Sequence, residues 1–347
     1  MRQNPEAGSI RLNLIRNSMK FCIVGLGAIG GLFAARLAAA GHEVSALARG
    51  ATLAAVRRDG LTLVEGAPGH EQHRRIAIKV SDDPAALGPQ DVVVIAVKTT
   101  GLASVADSAA AMLGPETTVL SAMNGVPWWF FHGLAPELAR IRMESVDPGG
   151  RISQAIPAQR VVGCVTHLSA ATPTPGTVRS VAGNRLIVGE PAGGAATPRA
   201  SAIAAALREA GFEVEEAAVI QQEIWFKLWG NMTMNPISAL TGATGDLILD
   251  DEHVRRFMSR CMVEAAEIGR RIGLPIDQDP EQRHAVTRKL GAFRTSMLQD
   301  VSAGRPMELD ALVASVMEIG RQVAVPTPNL DALFGLARLQ AQMRGLY

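Results

Sequence analysis

Lys227, Asn231 and Asn235 follow one another at intervals of four in the segment from Glu223 to Pro236. On an α-helix that spacing sets all three on one face, with gradual drift. Their neighbours are Trp225, Phe226, Leu228, Trp229, Met232 and Met234. A lysine and two amides among such residues are costly unless they have partners. A lysine beside an apolar wall has a lowered pKa, which makes it a proton donor near neutral pH. The competing reading is a solvated polar stripe, but this face lacks the Glu/Lys pairs that such a stripe uses.

A second constellation lies near the start. Gly25-Leu26-Gly27-Ala28-Ile29-Gly30 follows an apolar strand-like run and opens an alanine-rich helical one. In that setting Gly25 allows a tight turn, Gly27 lets a pyrophosphate approach the backbone, and Gly30 lets helix and strand pack closely. The helix N-terminus adds free N–H groups and a positive dipole end. Dinucleotide sites for NAD place an acid about 20 residues further on, to hold the ribose 2′-hydroxyl. Here residues 44–50 read Val-Ser-Ala-Leu-Ala-Arg-Gly, with Arg49 and no acid at the tip. A guanidinium binds a 2′-phosphate that a carboxylate would repel, so Arg49 favours NADP(H). Lys98 and Asn124 each end an expected strand, where open α/β sheets present their ligand crevice. Lys98 is expected to reach the cofactor unless it only reaches water, and Asn124 to bond near nicotinamide or substrate unless Asn124-Gly125 merely makes a turn. Glu308 opens a helical stretch, where a capping role competes with a role in the site.

Positioning these residues needs an α/β half and a helical half. Strands are expected at residues 20–24, 42–48, 91–97 and 117–123 with a helix at 30–40, the strand–helix–strand order of a parallel sheet, and a hairpin insert at 61–80. Short β-like pieces at 161–168, 176–181 and 185–188 precede a helix at 200–210 and a last strand at 212–215. Beyond residue 218 the periodicity is helical, over 222–240, 251–272, 280–303, 308–323 and 329–344. The expected division is an extension over 1–18, a dinucleotide-binding domain over 19–218 and a helical substrate domain over 219–347, with the site between the two.

Composition narrows the function. The 347 residues are 48% hydrophobic and 19% charged, with a net charge of +1, so the chain can bury a large core. No block of like charge stands out, which argues against nucleic acid as a partner, and no apolar run is long enough to span a membrane. Cys22, Cys164 and Cys261 are scattered and odd in number, which fits a reducing cytoplasm. No His, Cys or carboxylate spacing matches a metal-ligand set, and His167 reads as a hydrogen-bonded structural residue. The basic leader before residues 21–35 imitates a signal peptide, but four glycines and Arg36 interrupt that pattern.

Taken in order, Gly25-x-Gly27-x-x-Gly30, Arg49, Lys98, Asn124-Gly125, Lys227, Asn231, Asn235-Pro236, Ser296-Met-Leu-Gln-Asp300 and Glu308-Leu-Asp310 resemble the ketopantoate reductase family over residues 19–330. The resemblance implies a Rossmann-type N-terminal domain, an all-helical C-terminal domain and NADPH in the cleft between them. It implies reduction of the 2-oxo group of 2-dehydropantoate to (R)-pantoate, in pantothenate biosynthesis. In that picture Lys227 is the general acid, while Asn231, Asn235 and Ser296 hold the substrate's hydroxyl and carboxylate. Asn124 touches substrate and cofactor, Glu308 lies at their junction, and the assembly expected is a homodimer. The chain departs from the family where a further substrate asparagine often follows the equivalent of Asn235. Here the stretch reads Thr241-Gly-Ala-Thr244-Gly245-Asp246. The segment Val126-Pro-Trp128-Trp129-Phe130-Phe131 is unusually aromatic; it is expected to pack a helix on the sheet, or else to wall a bulkier pocket. A D-2-hydroxyacid dehydrogenase or other 2-oxo acid reductase with a bulkier substrate is therefore the alternative. A non-catalytic NADP(H) sensor would leave the Lys227 face unexplained.

Overall fold

The computed structural model describes residues 18–194 and 197–347, so the extension expected over 1–18 lies, apart from Ser18, outside the described residues. Ten strands form one sheet: β1 (Lys20–Val24), β2 (Glu43–Leu47), β3 (Leu61–Glu65), β4 (Gln72–Ile76), β5 (Lys79–Ser81), β6 (Gln90–Ile95), β7 (Leu113–Ser121), β8 (Val161–Ala171), β9 (Thr177–Gly189) and β10 (Glu213–Glu216). Their order is β4-β3-β9-β8-β7-β6-β1-β2-β5, with β10 also on β9. β1 and β6 form the centre, apolar on both faces because helices cover both. The sheet is mixed rather than purely parallel: β3 and β4 form the expected hairpin, and β8 and β9 also run antiparallel. The three short pieces expected over 161–188 are thus two long strands, joined at a Thr/Pro/Gly turn.

Helices of the first half are α1 (Ala28–Ala39), α2 (Gly50–Asp59), α3 (Thr99–Leu102), α4 (Ala106–Ala110), α5 (Arg151–Ala155) and α6 (Pro198–Glu209). The second half is helical throughout, with α7 (Ile220–Thr241), α8 (Gly245–Asp250), α9 (Glu252–Arg271), α10 (Pro280–Arg288), α11 (Ser296–Ser302), α12 (Ser315–Gln322) and α13 (Pro328–Met343). A π-helical turn, Asp310–Ala314, runs into α12. The single helix expected over 280–303 is two, α10 and α11. Gly291 takes φ +67° and Thr295 caps the Leu298 N–H, so the chain stops one helix and starts another. The helices α2, α3, α4, α5 and α8 are additions to the elements expected from sequence.

One core lies under α1, α2 and α6 on one face of the sheet. The other runs from the opposite face into the helical half, and α7 is its axis. Trp225 and Trp229 of α7 are fully buried, and Trp229 Nε1 donates to the Met262 carbonyl of α9 at 2.7 Å. Gly269 of α9 makes room for that crossing, since a Cβ there would stand 2.4 Å from Trp225 Nε1. The aromatic segment packs on the same helix. Phe130 lies 6.0 Å from the Trp225 ring, and Trp129 with Ile220 fills the space over Gly163 of β8. It therefore seats α7 against the sheet. None of its four rings lines the cavity beside Asn231 and Asn235 described below.

Candidate active site

The turn after β1 is built around its glycines. Gly25 takes φ +98°, and a Cβ there would stand 2.6 Å from the Val97 side chain. A Cβ on Gly30 would stand 2.0 Å from the Gly25 carbonyl and 3.0 Å from Ile23 and Ala96, so α1 crosses β1 as closely as backbone allows. Gly27 faces open space and is the N-cap of α1, with no side chain bonded to the first-turn N–H groups. Leu26, Ala28 and Ile29 complete the turn. Open space above a bare helix N-terminus suits a pyrophosphate.

Arg49 is the N-cap of α2, just past β2; it is exposed and makes no ion pair among the described residues. Lys98 follows β6 and forms an ion pair with buried Asp300 of α11, which Arg305 also approaches at 3.1 Å. Neither sequence reading includes this pair, through which Lys98 bridges the two halves. Glu308 does not cap its own helix. Its carboxylate crosses to α3, accepting from Thr99 N at 2.9 Å and Thr99 Oγ1 at 3.1 Å, and burial pushes its pKa up.

Lys227 sits where the halves meet. Its Nζ donates to Asn124 Oδ1 at 2.8 Å and to the Thr166 carbonyl of β8 at 2.6 Å, with a longer contact of 3.4 Å to Thr166 Oγ1. Desolvation brings its pKa from the usual 10.5 down to about 8, against which Cys164 and Glu308 act in the opposite sense. Cys164 is itself pushed up to about 12 by burial. Half-buried His167, on β8, is brought down to about 4 by desolvation and by the charges of Lys227, Arg185 and Arg283, so it is neutral. It makes no side-chain hydrogen bond among the described residues, contrary to the sequence reading. Asn124 is placed from the other side. Gly125 takes φ +79°, a Cβ there would stand 2.4 Å from the Ala311 carbonyl, and Val126 N donates to that carbonyl at 2.9 Å. The Asn-Gly turn is thus pressed onto the π-helical turn, a distortion often found at functional sites.

Asn231 and Asn235 lie one and two turns beyond Lys227, half-buried and buried. They line a cavity of about 110 Å³ with Thr233, Met234, Met262 and Arg283 among its other walls. Ser296 opens α11, which packs on α7, but its side chain is exposed and outside that lining. Thr244 donates to Asp246, so these two satisfy each other at the start of α8 and do not line the cavity. Arg283 escaped the sequence reading: one arginine on a charged amphipathic helix carries no signal of its own.

The arrangement joins an anion-ready glycine turn, a desolvated ammonium, and, one and two turns further along α7, two amides that line a cavity. Among the described residues no group of three or more His, Cys, Asp or Glu could hold a metal, and no helix is long and apolar enough to cross a membrane.

Comparison with known proteins agrees with this architecture. A family model described as "Ketopantoate reductase PanE/ApbA" matches residues 21–193, and its C-terminal counterpart matches residues 219–341. A 2-dehydropantoate 2-reductase of Mesorhizobium japonicum is 43% identical over 330 residues, 95% of this chain and 100% of that protein. A crystal structure of a putative ketopantoate reductase from Ralstonia solanacearum is 56% identical with a TM-score of 0.90, covering 95% of this chain and 99% of that one. The 2-dehydropantoate 2-reductase of Methylococcus capsulatus is 26% identical, TM-score 0.78, over 93% of this chain and 97% of its own.

Gly125→Ala combines an unfavourable φ with a clash against backbone. It is expected to destabilise the fold by about 1–3 kcal/mol, read as a lower urea midpoint. An unchanged midpoint would show that the turn does not bear on Ala311.

Proposed function

The chain is an oxidoreductase of the ketopantoate reductase family, and on that premise we propose that it reduces the 2-oxo group of 2-dehydropantoate to (R)-pantoate with NADPH, Lys227 acting as general acid. The observation that carries the reading is the Lys227 ammonium, desolvated and held at the foot of the cleft by Asn124 and Thr166. An ammonium has three N–H donors. Two are taken by short bonds, and the third has only the longer contact to Thr166 Oγ1, so it is the one a substrate oxygen would take.

Residues 25–30 and the N-terminus of α1 would hold the pyrophosphate, with Arg49 on the 2′-phosphate. Lys98, Asn124 and Glu308 would border the nicotinamide end. When bound there, the cofactor supplies a hydride to the substrate's carbonyl carbon. Lys227 then gives its proton to the oxygen, on which negative charge develops, and its own positive charge stabilises that oxygen beforehand. Asn124 keeps the ammonium on that line. Asn231, Asn235 and Ser296 are assigned the substrate's hydroxyl and carboxylate. The cytoplasm is the compartment proposed, given three buried, unpaired cysteines. The assembly proposed is a homodimer, supported by the exposed apolar stripe of Leu336, Leu339 and Met343 on α13.

One observation favours a second reading, reduction of a bulkier 2-oxo acid. Met234, Met258, Met262 and Phe293 wall the cavity beside Asn231, and methionines adapt to varied shapes. A panel of 2-oxo acids, followed by loss of NADPH absorbance, separates the two. The highest kcat/KM should fall to 2-dehydropantoate; a branched or aromatic acid in first place would select the second reading.

Replacing Lys227 with Ala should lower turnover by about 10²–10⁴-fold with NADPH affinity retained. In the wild type the ammonium must be protonated to act. Because its pKa lies at about 8, reduction should be steady below that pH and fall as pH rises through it. Near-wild-type turnover in the variant, or a rate flat to pH 10, would remove Lys227 from the mechanism. Arg49→Ala should weaken NADPH far more than NADH in fluorescence titrations, and equal losses would mean that the 2′-phosphate is read elsewhere.

A further inference from the structure

Arg283 stands in the first turns of α10, a helix fixed at its start by Pro280 and by a capping box between Asp279 and Gln282. Its guanidinium lies over Phe226 and Gly230 of α7, the strip next to the one that carries Lys227 and Asn231. The carbon at its centre is 5.0 Å from the Phe226 ring centroid, and a Cβ on Gly230 would stand 3.1 Å from Nε and 3.3 Å from Nη2. Gly230 is what lets the charged group lie flat on the helix. Among the described residues the guanidinium has no carboxylate partner and no hydrogen-bond acceptor, and Nε is fully buried. It shares its cavity with Asn231, Asn235 and Thr287, and no Asp or Glu lines that cavity.

A guanidinium whose Nε is buried without a partner, beside a cavity walled largely by methionines and Phe293, is costly unless an anion meets it. The other chain groups whose charges act on this region, through their effect on His167, are the cations Lys227 and Arg185 and the carboxylate Glu215. Glu215 is already held by Arg185 in a two-pronged pair. Glu308 faces Thr99 and Lys98. Of the carboxylates at its own end of α10, Asp279 caps the first turn and Glu281 pairs with Arg255, while both act on His284. No described carboxylate is thus paired with Arg283, and a ligand's anion can take that place. A planar two-pronged donor matches a carboxylate.

We propose that Arg283 joins Asn231 and Asn235 as the charged, specificity-determining partner of the substrate's carboxylate, one helical turn along α7 from the proton donor. The inference rests on the reductase reading above and deepens it. It also accounts for the Thr241–Asp246 stretch, where Thr244 and Asp246 bond to each other and leave substrate binding to another residue. The alternative is a purely structural stack on Phe226.

The test compares 2-dehydropantoate and 3-methyl-2-oxobutanoate with the primary amide of each, in which the carboxylate charge is gone. Wild type should favour acid over amide by about 10–100-fold in kcat/KM, the share of a charge-assisted pair. Arg283→Gln should raise KM for the acids, leave the amides and NADPH unaffected, and bring the acid-to-amide ratio near one. Arg283→Lys should fall between. A structural role would lower acid and amide alike, and an unchanged ratio in Arg283→Gln would overturn the assignment. If that variant turns over too slowly, calorimetric binding of oxamate and oxamide to the NADP⁺ complex gives the same ratio and separates the two roles in the same way. Failure of wild type on every acid would instead remove the reductase reading, and this inference with it.

Discussion

A single ammonium group, drawn out of water and tied to one strand carbonyl and one amide oxygen, sets the demands on the rest of the molecule. Taking Lys227 off solvent costs free energy that only well-placed acceptors recover. The Thr166 carbonyl comes from β8 and the Asn124 amide from the turn after β7. Strands and helix must therefore meet to within a few tenths of an ångström. The aromatic packing of Trp129, Phe130 and Trp225 seats α7 on the sheet, and Gly163 gives it the space to do so. Bulk at these positions and none at the glycines are two parts of one fit.

The halves are joined around that point by polar contacts that bracket the cleft. Glu308 bonds to Thr99, Lys98 pairs with Asp300, and Val126 donates to Ala311. Each runs between a strand-end loop of the sheet and the stretch from α11 to α12. Residues that the sequence suggests are cofactor ligands thus also hold the crevice to one width. Glu308 and Lys98 are close enough for their charges to act on each other, and Glu308 also acts on Lys227. The electrostatics of the proton donor and the closure of the cleft are in this way one network.

Much of this is legible in the residues alone, for definite reasons. The glycine turn is read from local backbone demands, and the structure places each glycine against a neighbour or an opening that requires it. The Lys227 face is read from helical period alone, and α7 keeps that period through Pro236. What escapes such a reading depends on partners distant in sequence. Nothing near Glu308 says that its carboxylate will bond across to Thr99, nor near Lys98 that Asp300 awaits it. The antiparallel pairing of β8 with β9 turns a set of short fragments into two long strands, because pairing partners, not local propensity, decide strand length. Arg283 resembles any surface arginine until α10 is folded over Gly230.

The most direct measurement is an NMR titration of the Lys227 side chain, with the lysine ε-carbons labelled and the signal assigned by its absence in a Lys227→Met variant. A desolvated proton donor should give a midpoint at about 8. A midpoint at the ordinary 10.5 would mean that the ammonium is solvated and that the cleft does not prepare it as an acid.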